Sequence, residues 1–383
     1  MTKSQTPLTA LNYIPAEILC AQDYEIAAQQ FIAAPSYAYI AGGSAGDITL
    51  AANRSVFAEY SLYPRLLNDV TNGSTHCQLG ELQLPHPILL APVAFQTLAH
   101  PLGEIETARG ADAMTAGLIA STLSSRTLEE IAAATTSPRW FQLYFQPDRA
   151  VTLDLVRRAE NAGYRAIVVT LDAAIQLPSQ HAMRAGFQMP VDCVAANLRN
   201  YPTPQPVALN AADSRVFRGA MRHAPTWQYL DWLQQQTSLP IWIKGVLHPD
   251  DALALKQRGV NGLIVSNHGG RTLDGAVSTL DALPAIRNVV GNDFPILMDS
   301  GIRSGSDIFK AIALGADAVL IGRLQVFALS VAGALGVAHM LKLLREELEV
   351  CMAMTGCTSL ADIRRTVLHV NTNIHKHKIF QSE

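Results

Sequence analysis

The sequence predicts an α/β fold, a single (β/α)8 TIM barrel with an N-terminal helical extension and a long loop after its fourth strand. Three observations lead there. Eight short apolar runs recur, each ending in a polar residue or glycine; helical patterns lie between them; and 383 residues is a length that a barrel with insertions fills as one unit. Hydrophobic residues make up 49% and charged residues 16%, enough apolar material for a large core and too much for a disordered chain.

The runs, in order, are 88–94 (ILLAPVA), 118–123 (LIASTL), 140–145 (WFQLYF) and 166–172 (AIVVTLD), then 241–246 (IWIKGV), 262–268 (GLIVSNH), 296–302 (ILMDSGI) and 318–323 (AVLIGR). Continuous apolar runs, rather than alternating ones, are the pattern of strands buried on both faces of a parallel sheet. Helical patterns fall at 153–162 before Gly163, at 250–258 between His248-Pro249 and Gly259, and at 306–314, with Ser304 or Ser306 placed to cap it and Gly315 to stop it. A doubly wound open sheet is the alternative, but no GxGxxG opens a helix after the first strand.

Residues 1–87 form an extension expected to be helical and then extended; 88–345 form the barrel, with 173–240 as a lid or insertion; 346–383 form a C-terminal helix and tail. Within the insertion, 198–206 carries Pro202, Pro204 and Pro206 and is not expected to be regular. The most membrane-like stretch, 324–344, is interrupted by Gln325, Ser330, His339 and Lys342 and reads as a buried helix rather than a span. Five cysteines without a CxxC pair fit free thiols and a cytoplasmic location, and the N-terminus has no long apolar core of a signal peptide. A net charge of −3 argues against a nucleic-acid partner, and the cluster His375–Lys378 reads as a solvated tail rather than a metal site.

In such a barrel the active site lies at the C-terminal ends of the strands. That rule selects Gln142, Tyr144, Thr170, Asp172, Lys244, Ser266, His268, Asp299 and Arg323, polar groups ending apolar runs. Buried polar groups need partners, so many strands ending this way point to one shared polar site. The run SNHGGR (266–271) is the sharpest signal: a histidine, two glycines that let the backbone pass close to a ligand, and an arginine able to clamp a carboxylate. A base beside an anion clamp suits removal of a proton from a small hydroxy acid. In DSGIRSG (299–305) and GADAVLIGR (315–323), the glycines and arginines fall after strands seven and eight, where barrels bind phosphate.

With YIAGGSAGD (39–47), LAANRSVF (50–57), APVAFQ (91–96), FQLYF (141–145) and KGV (244–246) added in order, the chain resembles the FMN-dependent 2-hydroxy acid oxidases and dehydrogenases. That resemblance implies FMN as cofactor and a small 2-hydroxy acid, lactate-like or larger, as substrate. It makes His268 the base that takes the hydroxyl proton, with Asp172 orienting it. Tyr39 and Arg271 hold the substrate carboxylate, and Tyr144 the hydroxyl. Lys244 stabilises the reduced flavin. Pro92, Val93, Ala94, Ser121, Gln142, Thr170 and Ser266 line the isoalloxazine, Asp299 meets the ribityl chain, and Gly301, Arg303, Gly322 and Arg323 take the phosphate. It also implies O2, or else a quinone, as electron acceptor and a homotetramer as the assembly. A flavin-binding scaffold or sensor with impaired turnover is the alternative from another class. It draws on one departure: Ser179 stands where the family has an active-site arginine, with His181 and Arg184 the nearest candidates to compensate. Leu123, which stands where glycolate oxidase has tryptophan, Phe95 and the 176–225 loop are expected to shape the side-chain pocket.

Overall fold

The computed structural model describes residues 6–176, 178–203 and 208–371. Pro204, Pro206 and the His375–Lys378 cluster lie outside them. Short helices α1 (Asp23–Ala27), α2 (Ala34–Ala41) and α3 (Ile48–Ser55) make up the extension, followed by an antiparallel hairpin of Cys77–Leu79 with Leu82–Leu84.

Eight parallel strands then close into a barrel: β1 (Ile88–Leu90), β2 (Leu118–Ser121), β3 (Arg139–Leu143), β4 (Ile167–Thr170), β5 (Ile241–Val246), β6 (Gly262–Val265), β7 (Ile296–Met298) and β8 (Ala318–Ile321). Closure is made by β8 against β1, with Leu320 opposite Leu89 and Ile321 opposite Leu90. Each strand is shorter at its C-terminal end than its apolar run, except β5. At seven of the eight ends the chain therefore leaves the ladder before the run is finished, at the C-terminal mouth of the barrel.

The helices between are α4 (Glu104–Ala113), α5 (Leu128–Ala133), α6 (Arg149–Asn161), α7 (Gln180–Arg184), α8 (Trp227–Gln234), α9 (Pro249–Gln257), α10 (Thr279–Val290), α11 (Gly305–Ala313), α12 (Arg323–Thr355) and α13 (Leu360–Arg364). Local signals fix several starts. Asp148 caps α6 through Ala150 N–H, so that helix begins four residues before the apolar pattern at 153 does. Ser304 and Asp307 form a capping box on α11, which settles the cap in favour of Ser304.

The long apolar stretch became α12, and it differs from the expectation in two ways. It runs on to Thr355, so residue 345 is mid-helix, and it breaks at Ala332 and Gly333, where Gly333 sits at φ 55°. Glu106 Oε2 on α4 accepts the freed Ala334 N–H at 3.0 Å. The helix is long and apolar enough to cross a membrane, but 78% of its most apolar window is buried inside the protein. Its residues Leu324–Gly333 are buried throughout, against the barrel and α4.

Candidate active site

The loops leaving the strands enclose one cavity at the C-terminal mouth. Of the residues singled out from sequence, Tyr39, Pro92, Val93, Ala94, Ser121, Gln142, Tyr144, Thr170, Lys244, His268, Arg271, Asp299, Gly301, Arg303, Gly322 and Arg323 line it, as do Phe95 and Leu123. Asp172 and Ser266 stand one layer behind.

His268 ends the β6 run with φ 59°, a left-handed conformation that costs a non-glycine residue about 1–2 kcal/mol. Its N–H donates to Ser266 Oγ at 3.0 Å, and its Nδ1 donates to Asp172 Oδ1 at 2.9 Å. Burial opposes ionisation of Asp172, but His268 and Lys244 beside it outweigh burial and hold its carboxyl below the usual range. An ionised partner on Nδ1 fixes the imidazole tautomer and leaves Nε2 as the basic atom. The approach depends on Gly245: its φ is 105°, and a Cβ there would lie 2.5 Å from Asp172 Cβ. This gives the glycine of the KGV motif a physical reason.

Lys244 is buried, donates to Ser266 Oγ at 2.7 Å and pairs with Asp299 Oδ2 at 3.2 Å. Burial works against its charge, but Asp299 and Asp172 prevail and raise its pKa. One sequence assignment changes here. Ser266 does not line the cavity; it is fully buried and joins Lys244 to the His268 backbone. The Asp299 carboxylate is occupied by Lys244 and by the Ser300 hydroxyl at 2.7 Å.

Arg271 lies with its guanidinium carbon 4.8 Å from the Tyr39 ring centroid. Its Nη1 donates to Tyr39 O at 2.8 Å and to Gly42 O at 3.0 Å, so it is held against the C-terminal carbonyls of α2. Phe187 stacks on Tyr39 at 4.3 Å, which fixes that ring from the insertion side. Tyr144 is half-buried, and desolvation raises its pKa.

The segment after β4 brings no cation to the cavity among the described residues. Ser179 accepts Ala182 N–H at 3.3 Å as the cap of α7 and packs under Gly42. His181 pairs with Asp47 at 2.9 Å, and Arg184 turns to Gln180. Among the described residues of the segment, Gln176 lines the cavity, at the start of the 176–225 loop expected to shape the pocket.

The far side of the cavity is cationic. Arg323 donates to Ile40 O, Gly269 O and Gly42 O at 3.0, 2.9 and 2.8 Å. Gly269 has to be glycine, because a Cβ would lie 2.6 Å from Arg323 Nη1. Burial, with Arg271 and Arg303 close by, pulls Arg323 down to about 9. Arg303 is paired with Glu25 of α1 at 2.9 Å, a partner that sequence reasoning missed because it lies 278 residues away. Beside these arginines α12 begins at Gly322 with no side-chain cap, a helix N-terminus open to an anion.

Those features test the implied cofactor, and they fit. A crowded, desolvated arginine beside an uncapped helix start suits a phosphate, and Gln142 Nε2 and Thr170 Oγ1 are buried at the opposite wall without a hydrogen-bond partner. Unpaired buried polar atoms are rare and costly, and a polar heteroaromatic ring edge would satisfy both. Arg323→Ala is expected to weaken FMN binding to the apoprotein about 10- to 100-fold, the loss of one charge-assisted contact. Titration of apoprotein by flavin fluorescence quenching measures it; an unchanged Kd would place the phosphate elsewhere.

A parallel barrel that gathers a carboxylate-braced histidine, an anion-clamping arginine and a phosphate cradle into one mouth defines a flavin mononucleotide-dependent oxidoreductase. Comparison with known proteins agrees. Residues 28–370 match the FMN-dependent dehydrogenase family. An L-lactate oxidase of Alicycliphilus denitrificans is 61% identical over 355 residues, 93% of this chain and 97% of that one. Glycolate oxidase of Spinacia oleracea is 38% identical, over 91% of this chain and 95% of that one. A crystal structure of mandelate oxidase with (S)-2-phenylpropionate superposes with a TM-score of 0.83 at 38% identity, over 92% of this chain and 98% of that one. The chain belongs to the FMN-dependent dehydrogenase family, and its activity is FMN-dependent oxidation of a 2-hydroxy acid.

Proposed function

We propose that this chain oxidises L-lactate to pyruvate and delivers the electrons to O2. The observation that carries the reading is the His268–Asp172 pair facing the same cavity as Arg271, so that a base and a carboxylate clamp bracket one small ligand. The substrate rests on the identity to the L-lactate oxidase of Alicycliphilus denitrificans, together with a pocket end formed by Leu123 and Phe95.

In this reading Arg271 and Tyr39 bind the lactate carboxylate, and Tyr144 donates to the C2 oxygen. His268 Nε2 takes the hydroxyl proton as the C2–H bond breaks and the C2–O bond becomes a carbonyl. Asp172 stabilises the imidazolium that results. FMN held by Gln142, Thr170 and the cationic side of the cavity would supply the two-electron acceptor, and with the two electrons and two protons given up by lactate one O2 would yield one H2O2. Lys244 sets a positive charge at the cavity wall where negative charge gathers, and its ion pair with Asp299 keeps it in place. The assembly we propose is a homotetramer, following the family resemblance. The cytoplasm is the proposed location, supported by five free cysteines, and the burial of α12 supports a core helix in place of a membrane span.

Anaerobic mixing with L-lactate, D-lactate, glycolate and (S)-mandelate tests the substrate. L-lactate is expected to bleach the flavin fastest and D-lactate not at all, and in air one H2O2 should form per pyruvate. Faster bleaching by mandelate would overturn the lactate assignment. Pyruvate formed with a quinone but without H2O2 would overturn the acceptor.

A further inference from the structure

Glu104 is a buried carboxyl that the reaction does not use. It stands at the first turn of α4, is 4% exposed, and its Oε2 is buried without a hydrogen-bond partner. Its other oxygen is fully engaged. Oε1 accepts Gln96 N–H at 3.1 Å and Ser125 N–H at 2.8 Å. Those two donors come from different loops, one leaving β1 and the other leaving β2. One carboxylate oxygen therefore ties two active-site loops together.

Phe95 directly precedes the first donor, Leu123 stands two residues before the second, and both line the cavity. They touch each other through the backbone, Phe95 N–H donating to Leu123 O at 3.2 Å. Phe95 sits at φ 55°, a conformation that persists in a non-glycine residue only where its surroundings over-determine it. Further bonds converge on the same joint. Gln96 Nε2 donates to Val93 O at 3.3 Å, and Thr97 Oγ1 donates to Ser125 Oγ at 2.9 Å. Glu104 is the member of this network that spans both loops from a third element. A small cavity lies behind the joint, lined by Val93, Gln96, Glu104, Thr107, Ser121 and Ser124, so the packing there is not complete.

We propose that Glu104 is a positioning residue for substrate specificity: by holding the β1 and β2 loops in register, it fixes the Phe95–Leu123 wall that measures the substrate's side chain. The inference rests on the lactate-type reading of that pocket. Burial raises the Glu104 pKa, against the backbone donors and Arg126. A neutral amide oxygen can therefore take the place of Oε1 without loss of the tie.

The test compares L-lactate with (S)-mandelate in the holoenzyme. Glu104→Ala is expected to lower the ratio of kcat/KM for lactate to that for mandelate at least 10-fold, mainly through the KM for lactate, with kcat for lactate within about threefold and FMN content unchanged. Glu104→Gln is expected to restore the parent ratio, and Glu104→Asp, too short to reach both donors, to fall between. A parent-like ratio in folded Glu104→Ala overturns the proposal. So does a loss of kcat, FMN and Tm in proportion with no change in ratio, which marks a structural role. If Glu104→Ala does not fold, a parent-like ratio in Glu104→Asp overturns it, and if neither yields holoenzyme the residue is a folding determinant and the proposal fails. The parent's own preference between the two acids, read in the same assay, tests the lactate assignment separately.

Discussion

Replacing His268 with alanine is expected to slow flavin reduction by at least 10²–10⁴-fold while the protein still purifies with FMN. The two effects separate because different strands carry them. The cationic cradle belongs to Arg323, Arg303 and the start of α12, beyond β7 and β8, whereas His268 ends β6 and spends its side chain on Asp172. A 2-hydroxy acid hydroxyl is a weak acid, and C2 cannot give up its hydrogen easily until that proton leaves. The loss should exceed the usual range of a general base if the imidazolium also balances the charge left in the cavity. Since His268 sits at φ 59°, His268→Asn is the better control for the backbone, as asparagine tolerates the left-handed region.

Removing the imidazole also leaves Asp172 buried with Lys244 as its remaining countercharge. Some stability should go with it, about 1–3 kcal/mol. Its pH dependence has a definite sign. The Asp172 pKa is depressed in the folded protein, so its contribution is fully present above the ordinary carboxylate range and disappears as pH falls below it. Parent and variant Tm should therefore differ at neutral pH and converge in acid. Stopped-flow reduction within tenfold of the parent would rule out His268 as the base, and loss of FMN in step with activity would mark a structural histidine.

The barrel was legible because β1 to β8 are apolar on both faces, and a run such as 318–323 says both that it is buried and where it ends. The site was legible for a related reason: Lys244 and His268 are polar groups that a buried strand would not otherwise carry. What stayed hidden were pairings made at long range. Nothing in the helix 23–27 announces that Glu25 will neutralise Arg303, and nothing at the end of the 296–302 run announces that Asp299 will pair with Lys244. Ser266 was misplaced by one layer because strand periodicity gives a residue's face, while the turn at His268 decides how deep that face lies. The break in α12 was invisible since Gly333 resembles the other glycines of an apolar helix, and what stabilises the break is Glu106 from another element.

Among the described residues the segment after β4 brings no cation to the cavity, which makes Arg271 the position of the second large effect. Lys244 is committed to Asp299 and Arg303 to Glu25, and Arg323 is held by the carbonyls of 40, 42 and 269. Of the four cations lining the cavity, Arg271 is left to meet a substrate carboxylate, with Ser179 spent on capping α7. Arg271→Lys keeps the charge but loses the planar fork, one arm of which holds the 39–42 turn, leaving the rest of the guanidinium to meet a carboxylate in the cavity it lines. The KM for L-lactate is expected to rise about 10²-fold in Arg271→Lys and about 10³-fold in Arg271→Met, corresponding to about 3–4 kcal/mol, the upper range for a charge-assisted bond together with the turn it supports. Lactamide separates carboxylate binding from general disruption of the pocket. The parent should prefer lactate to lactamide strongly, and Arg271→Met should lose that preference while its rate with lactamide changes little. A KM for lactate within threefold of the parent in Arg271→Met would mean that another group holds the carboxylate, with Gln176 and Tyr39 the cavity-lining candidates nearest in chemistry.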